Sequence, residues 1–468
     1  MSSKPIAKDT APNIFLEGSL PKLFVKTAAP IILIMTANGF FTLVDAYYLG
    51  RYVGVEALTA VTLMFPLYML LVAVSTLVSS GYSSVFARLL GANSTHQAGE
   101  ALYAAITLSL LVSLILIVVF LALSDSLILQ LTNGTNLLAA HGYTYISILI
   151  FFCPIVFILG VSVDTLRCEG KISEMLAVTI FATSLNFVFN YLLIVKLNLG
   201  VAGSAYGTVA AQSCALCVAI YLRQRSKSIV KIRAPKFAQA CKHWLDFVSL
   251  GIPQSVSHIG LSLTAVVVLF SIQTWNGQTY EVTAGAYGII TRLMTFTILP
   301  LLGLSIAFQT IIGNNYGATK YRRCLDALKI ALVIAVFYCM IAQSCFYIFR
   351  NSLGLLFVDD QEVATEISRI LPINTLLFFI SGPMLIVTIY FQAIGKAIKS
   401  AILSLPRTYL FTIPLILVLP NALGEVGIWY AAPIAELLMI GVTVAVFLST
   451  KKSSGSFFYT KTKPFTLN

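Results

Sequence analysis

"GANSTHQAGEAL" (residues 91–102) and "GATKYRRCLDAL" (317–328) are one kind of segment written twice, 226 residues apart. Each opens on Gly-Ala, passes through a polar turn and ends on an Ala-Leu helical start. Three fainter echoes keep the spacing and the order. "AP" at Ala29–Pro30 returns as "IP" at Ile252–Pro253, 223 residues on. "CEGK", ending at Lys171, returns as "AIGK", ending at Lys396, after 225. "LGVAG" from Leu199 returns as "LGEVG" from Leu423, after 224. Each echo is weak alone; four in one order predict a chain made of two like halves.

The halves are filled with apolar runs of about 20 residues, the length that crosses a bilayer as a helix. The first half has runs at 23–50, 56–79, 101–123, 139–163, 173–196 and 201–223. The second has them at 245–272, 282–305, 326–350, 366–391, 399–420 and 425–449. The expected fold is therefore an all-α polytopic membrane protein, twelve transmembrane helices in two six-helix lobes. Six is even, so both halves enter from one side, as parallel repeats do. The expected division is an N-terminal segment 1–22, an N-lobe 23–223, a linker 224–244, a C-lobe 245–449 and a tail 450–468. Composition agrees: 58% of the 468 residues are hydrophobic and 10% charged, where soluble domains carry about 25% charge.

The net charge is +12. In a membrane protein such an excess reads as basic cytoplasmic loops, not as a nucleic-acid surface. The linker carries Arg225, Lys227, Lys231, Arg233, Lys236 and Lys242; Lys320, Arg322, Arg323, Lys396, Lys399, Lys451 and Lys452 lie on the same side. The opposite loops hold little beyond Arg51, Lys196 and Arg350. Both termini are expected in the cytoplasm, with a bacterial inner membrane as the location. Residues 1–22 have no apolar stretch of the kind a signal peptide needs.

Several chemistries find little support. The eight cysteines are scattered, and the CxxC of Cys214 and Cys217 lies in an apolar run without a second ligand pair. His96, His141, His243 and His258 are far apart. No GxxxxGK[ST] loop is present. An enzyme is not expected, nor a cofactor.

What remains is polar residues inside oily helices, where they are costly and mark function by default. Asp45 lies about five residues before the outer end of the first run. Asn186 and Asn190 are four apart and share a helix face. Thr208 sits about seven residues into the sixth run. At about 1.5 Å per residue these groups fall in one outer slab of the N-lobe. Oxygen ligands suit Na⁺, and a buried carboxylate suits a proton, because burial penalises its charged form. Tyr143, Tyr145, Met64 and Gln212 are candidates for lining a substrate cavity. Structural readings stand beside these. Asp45 can pair with Arg51, the asparagines can tie helices together, and the tyrosines can be interfacial belt residues. In the C-lobe, Arg292 and Glu436 share a depth, which predicts an ion pair or polar network. Asp164 and Glu169 flank Arg167 and read as a local charge cluster.

Four stretches carry a family resemblance. "GLSIAFQTIIGNNYGATKYRR" (303–323), "DAYYLGRYVGVEALTAV" (45–61), "LRCEGK" (166–171) and "GIWYAAPIAELL" (427–438) resemble segments of multidrug and toxic compound extrusion (MATE) transporters, most of all the MepA-like and DinF-like bacterial members. Two positions depart from the pattern. Gln309 is followed by Thr310 where relatives usually have Pro, and Asn190 stands where relatives often have Asp. The resemblance implies a V-shaped pair of lobes and export of bulky, often cationic xenobiotics against inward H⁺ or Na⁺. Carried over one position at a time, it implies a cation-coupling site at Asp45, Asn186, Asn190 and Thr208. Asn190 removes one charge from that set, which favours H⁺ over Na⁺. A monomer is expected. The rival is a flippase of related architecture for a lipid-linked substrate, which would want more intramembrane cations than this chain has.

Overall fold

The computed structural model describes residues 13–132, 136–225, 228–275, 279–355 and 360–454, with the side chains of 38, 40–47, 55, 125, 130, 131 and 451–454 excepted. Asp45 is placed on its helix, but its side chain lies outside the described residues. So do residues 1–12 of the expected N-terminal segment and 455–468 of the expected tail.

The described chain is helical throughout, with no strand. In lipid a backbone must satisfy its polar groups internally, and helices do so within one segment. Ten helices are long and apolar enough to cross a membrane, and two bent pairs bring the number to twelve. In chain order the spans are Leu20–Tyr48, Val55–Leu63 with Phe65–Gly91, Thr95–Leu131, Asn136–Phe151 with Cys153–Cys168, Ile172–Asn190 and Gly200–Arg225 for the N-lobe. Phe237–Trp275, Tyr280–Gly317, Tyr321–Ile348, Gln361–Asn374 with Phe378–Ala393, Ala397–Leu423 and Val426–Ser454 make the C-lobe. They are called spans 1 to 12 below. Span 4 bends by 49° between its halves, where Pro154 opens the second, and span 10 by 52°. Span 11 is broken by a π-helical stretch at Pro406–Thr412, and span 5 ends in another at Tyr191–Lys196.

The repeat is written in the backbone. Gly170 and Gly395 have φ of 82° and 80°; Gly200 and Gly424 have 58° and 63°. Asn93 and Thr319, non-glycine residues, share φ near 57°, at 56° and 58°. Each pair is one repeat length apart. A left-handed residue turns the chain at a helix end. Gly170 and Gly395, and Asn93 and Thr319, follow the ends of equivalent helices, whereas Gly424 follows Pro420–Leu423 and Gly200 opens Gly200–Arg225, so the three pairs mark equivalent turns.

The spans differ from expectation at the end that carries the basic loops, here called the basic end. Span 2 runs on to Gly91 and span 8 to Gly317, each 12 residues past the apolar window. Span 7 starts at Phe237, so eight residues of the expected linker are its first two turns. Hydropathy marks the lipid-facing part of a helix; the extensions of spans 2 and 8 are buried by protein instead. The lobes meet there. A Cβ on Gly81 of span 2 would lie 1.9 Å from the Phe247 carbonyl oxygen of span 7, and one on Gly251 of span 7 would lie 1.9 Å from that of Leu77. Only glycine allows backbones this close. At the far end, by contrast, Val55–Leu63, Asn136–Phe151, Gln361–Asn374 and Ile413–Val418 pack within their own lobes. The lobes are closed at the basic end and apart at the far end.

Candidate functional site

In the N-lobe, spans 5 and 6 bring three of the expected residues together. The Asn186 amide donates to the Thr208 hydroxyl at 3.0 Å, and the Asn190 amide reaches the Asn186 carbonyl oxygen at 3.5 Å. Asn190 is 2% exposed and fits against Gly207, where a Cβ would be 2.2 Å from its Oδ1. It is also the last α-helical residue before the π-helical stretch of span 5. Span 1 packs on span 5, with the Tyr48 ring tilted against Phe187 at 5.7 Å. Asp45 lies one turn before Tyr48 on that helix. One turn inward of Thr208, Gln212 has a buried Oε1 with no hydrogen-bond partner among the described residues.

The cavity candidates fare unevenly. Met64 is fully buried, at the break between the two helices of span 2, and its thioether presses on Gly142. It belongs to the N-lobe core, not to a cavity wall: the helix break turns it inward. Tyr143 is 39% exposed and stacks on Phe120 of span 3, a helix that packs on spans 2, 4 and 7. Its ring is thus engaged away from the Asn186–Thr208 pair on spans 5 and 6. Tyr145 packs partly buried against the cluster that holds Met64.

The expected Arg292–Glu436 pair is corrected. Glu436 is 4% exposed, and its Oε1 accepts the Ser381 hydroxyl at 2.6 Å and the guanidinium of Arg407. Arg407 also donates to Ser381 at 3.3 Å. The other oxygen, Oε2, is buried without a hydrogen-bond partner among the described residues. Arg292 is exposed and points elsewhere. It shares a helix stripe with Phe296, Leu299 and Gly303, and these touch Gly39 and Ile32 of span 1 in the other lobe. Arg292 therefore sits on the face of span 8 turned to the cleft, whereas Glu436 faces spans 10 and 11. A common depth was expected to bring the two together; the direction of Arg292 keeps them apart.

A second cluster joins spans 8, 10 and 12 at the far end of the C-lobe. Arg369 bridges Glu366 at 2.6 Å and Glu425 at 2.8 Å, and Thr283 donates to Glu366 at 3.2 Å. These side chains line a cavity of about 650 Å³. It is remote from the polar pair of spans 5 and 6, and its groups are satisfied by one another.

The seal between the lobes was the least visible feature. Gln309 donates to Ser84 at 2.9 Å, and Gln392 donates to Ser80 at 2.6 Å and to the Leu250 carbonyl at 2.7 Å. Arg167, 3% exposed, is held by Asp164 at 2.7 Å but also crosses to span 8, donating to the Ile306 carbonyl at 2.9 Å and to Thr310. The departure at Thr310 thus supplies an acceptor that proline would lack. Arg88, likewise 3% exposed, crosses from span 2 to the end of span 10, donating to the Ala393 carbonyl at 2.9 Å. A cation there meets the negative end of a helix dipole. The sequence signal for Arg88 was an arginine in "SVFARLLGA", but ending span 2 at 79 placed it in a loop.

Comparison with known proteins gives one answer. The family model described as MatE matches residues 30–192 and 259–418. The chain is 22% identical to the Bacillus subtilis protein named "Probable multidrug resistance protein YoeA", over 94% of this chain and 96% of that one. It is 24% identical to "Multidrug export protein MepA" of Staphylococcus haemolyticus, over 94% and 95%. A solved structure described as the outward-facing conformation of a multidrug resistance MATE family transporter of the MOP superfamily superposes with a TM-score of 0.86. That match has 22% identity and covers 95% of this chain and 98% of that one.

Proposed function

We propose that this chain, which belongs to the MatE family of multidrug efflux transporters, is a secondary antiporter exporting bulky, often cationic compounds in exchange for inward H⁺. The basic end is cytoplasmic by the excess of Lys and Arg in its loops. The closed basic end and parted far end then correspond to a cleft open to the outside. The observation that carries the reading is the N-lobe polar chain of Asn186, Thr208 and Asn190 beside the helix of Asp45. It lies in the half of the lobe that this arrangement leaves accessible.

Asp45 is the group that takes up the coupling ion. Ionised, it holds an organic cation in a cleft of low polarity; protonated, it does not. By linkage, ion and drug then weaken each other's binding, and each favours a different arrangement of the lobes. Asn186, Asn190 and Thr208 position the carboxyl and tune its protonation. They offer neutral oxygens, and a Na⁺ site ordinarily adds net negative charge to replace lost water. A proton needs only one acceptor. Arg167, Arg88, Gln309 and Gln392 act elsewhere, by holding the cytoplasmic ends together until the cycle parts them.

Proteoliposomes loaded with a fluorescent drug, given a pH gradient or a Na⁺ gradient separately, test the ion. Drug movement on the pH gradient without Na⁺ is the expected result. Movement on a Na⁺ gradient at constant pH, with none on the pH gradient, would replace H⁺ by Na⁺.

A further inference from the structure

The seal at the basic end is asymmetric, and the chain's own N-terminal segment fills the gap. Under the repeat, Arg88 of span 2 corresponds to Asn314 of span 8, and Gly395 to Gly170. The two crossings are reciprocal: a Cβ on Gly91 would lie 2.0 Å from the Asn314 carbonyl oxygen, and one on Gly317 would lie 2.0 Å from that of Arg88. On one side of this pseudo-twofold, Arg88 reaches the helix end at Gly395, with its guanidinium 3.0 Å from where a Cβ would be. On the other side, Asn314 is too short to reach Gly170. Ile14 and Phe15 stand there instead, with Ile14 2.8 Å from the Cβ position of Gly170.

The segment is built into that place. Phe15 is fully buried in a cluster that includes Leu166 and Ile172 of the N-lobe and Phe308, Ile311 and Ile312 of the C-lobe. Asn13 donates to the Asn314 side chain at 2.8 Å, and Asn315 donates to the Phe15 carbonyl at 3.1 Å. Lys320 donates to the Leu16 carbonyl at 2.9 Å. Arg323 donates to the carbonyls of Gly18 at 2.9 Å and Glu17 at 3.0 Å. All these hydrogen bonds are to the C-lobe, yet the segment is covalently part of span 1 in the N-lobe. When the basic ends separate, the segment must leave one lobe or the other.

We propose that residues 13–18 are a strap that holds the lobes closed at the basic end, with Phe15, Asn314, Asn315 and Arg323 as the residues that set the balance between the two arrangements of the lobes. Whatever binds only one arrangement shifts their populations, and so does a contact made in only one. Removing strap contacts populates the form open at the basic end. The strap rests on the two-lobe cycle proposed above but not on the identity of the ion or drug.

The test needs neither. Cys168 is fully buried beside Ser83 of its own lobe, next in sequence to Arg167, which crosses to Thr310 of the other lobe. Cys339 is fully buried inside the C-lobe core. Full-length proteins keeping one or the other as sole cysteine are reacted with N-ethylmaleimide in membranes. Phe15→Ala should raise the Cys168 rate by about tenfold, the factor expected for a loss of about 1.4 kcal/mol. Arg323→Gln, a surface change that leaves the core intact, should raise it by about threefold, as a lost surface-edge hydrogen bond would. The Cys339 rate should stay unchanged in both. An unchanged Cys168 rate in both variants would overturn the strap. So would Cys168 and Cys339 rising together, which would mean that the segment merely supports folding.

Discussion

Position 212 in the N-lobe and position 436 in the C-lobe are mates under the repeat, and so are 183 and 407. The N-lobe has Gln212 and Thr183 where the C-lobe has Glu436 and Arg407. The chain turns between helices alike in both lobes, at residues of matching positive φ. Their buried polar groups do not. The C-lobe holds an ion pair whose carboxylate is 4% exposed; the N-lobe holds neutral amides and a hydroxyl on spans 5 and 6. The π-helical stretches follow the same divergence, ending span 5 but interrupting span 11 at Arg407. A repeat thus fixes where helices start and stop, while the chemistry of each lobe is free to diverge.

The largest effect should come from breaking the charged side of this comparison. Arg407→Ala leaves Glu436 with Ser381 alone, and removing one partner of a buried ion pair costs roughly 3–5 kcal/mol. Arg407 is itself partly exposed, so the lower end of that range is expected. The double variant Arg407→Ala with Glu436→Gln should recover most of the loss, whereas Arg292→Ala should stay within about 0.5 kcal/mol of wild type. Thermal melting of the detergent-purified variants reads all three. Rescue of Glu436→Gln by Arg292→Ala would restore the pairing that the geometry denies.

That pairing shows what the sequence could and could not supply. The two-lobe repeat, the twelve spans and the common level of Asn186 and Thr208 were legible, because apolar runs and rise per residue set depth. The direction of Arg292 was not, since it depends on which stripe of span 8 meets span 1. Met64 was misread as a cavity residue because the break at Phe65 turns it into the core. Arg88 and the strap were missed because the ends of spans 2 and 8 lie beyond the lipid-length window, where burial is by protein. Hydropathy has no term for that.

A smaller effect is expected from the neutral side. Asn186→Ala removes the donor to Thr208 and the distant acceptor of Asn190, for a loss of about 0.5–1.5 kcal/mol. Its melting temperature should fall by less than that of Arg407→Ala. Its drug transport should nevertheless fall further than its stability if Asn186 positions the coupling group, as proposed above. Loss of stability with unchanged transport at matched expression would make Asn186 a helix tie only.

One titratable carboxyl in the N-lobe is proposed to couple ion to drug, and Asp45→Asn isolates its titration. The amide keeps the shape and removes the titration. In proteoliposomes under an imposed pH gradient, wild-type protein should move drug against its gradient. Asp45→Asn, incorporated at the same density and melting at the same temperature, should show no gradient-driven movement. Wild-type rates from that variant would contradict the account.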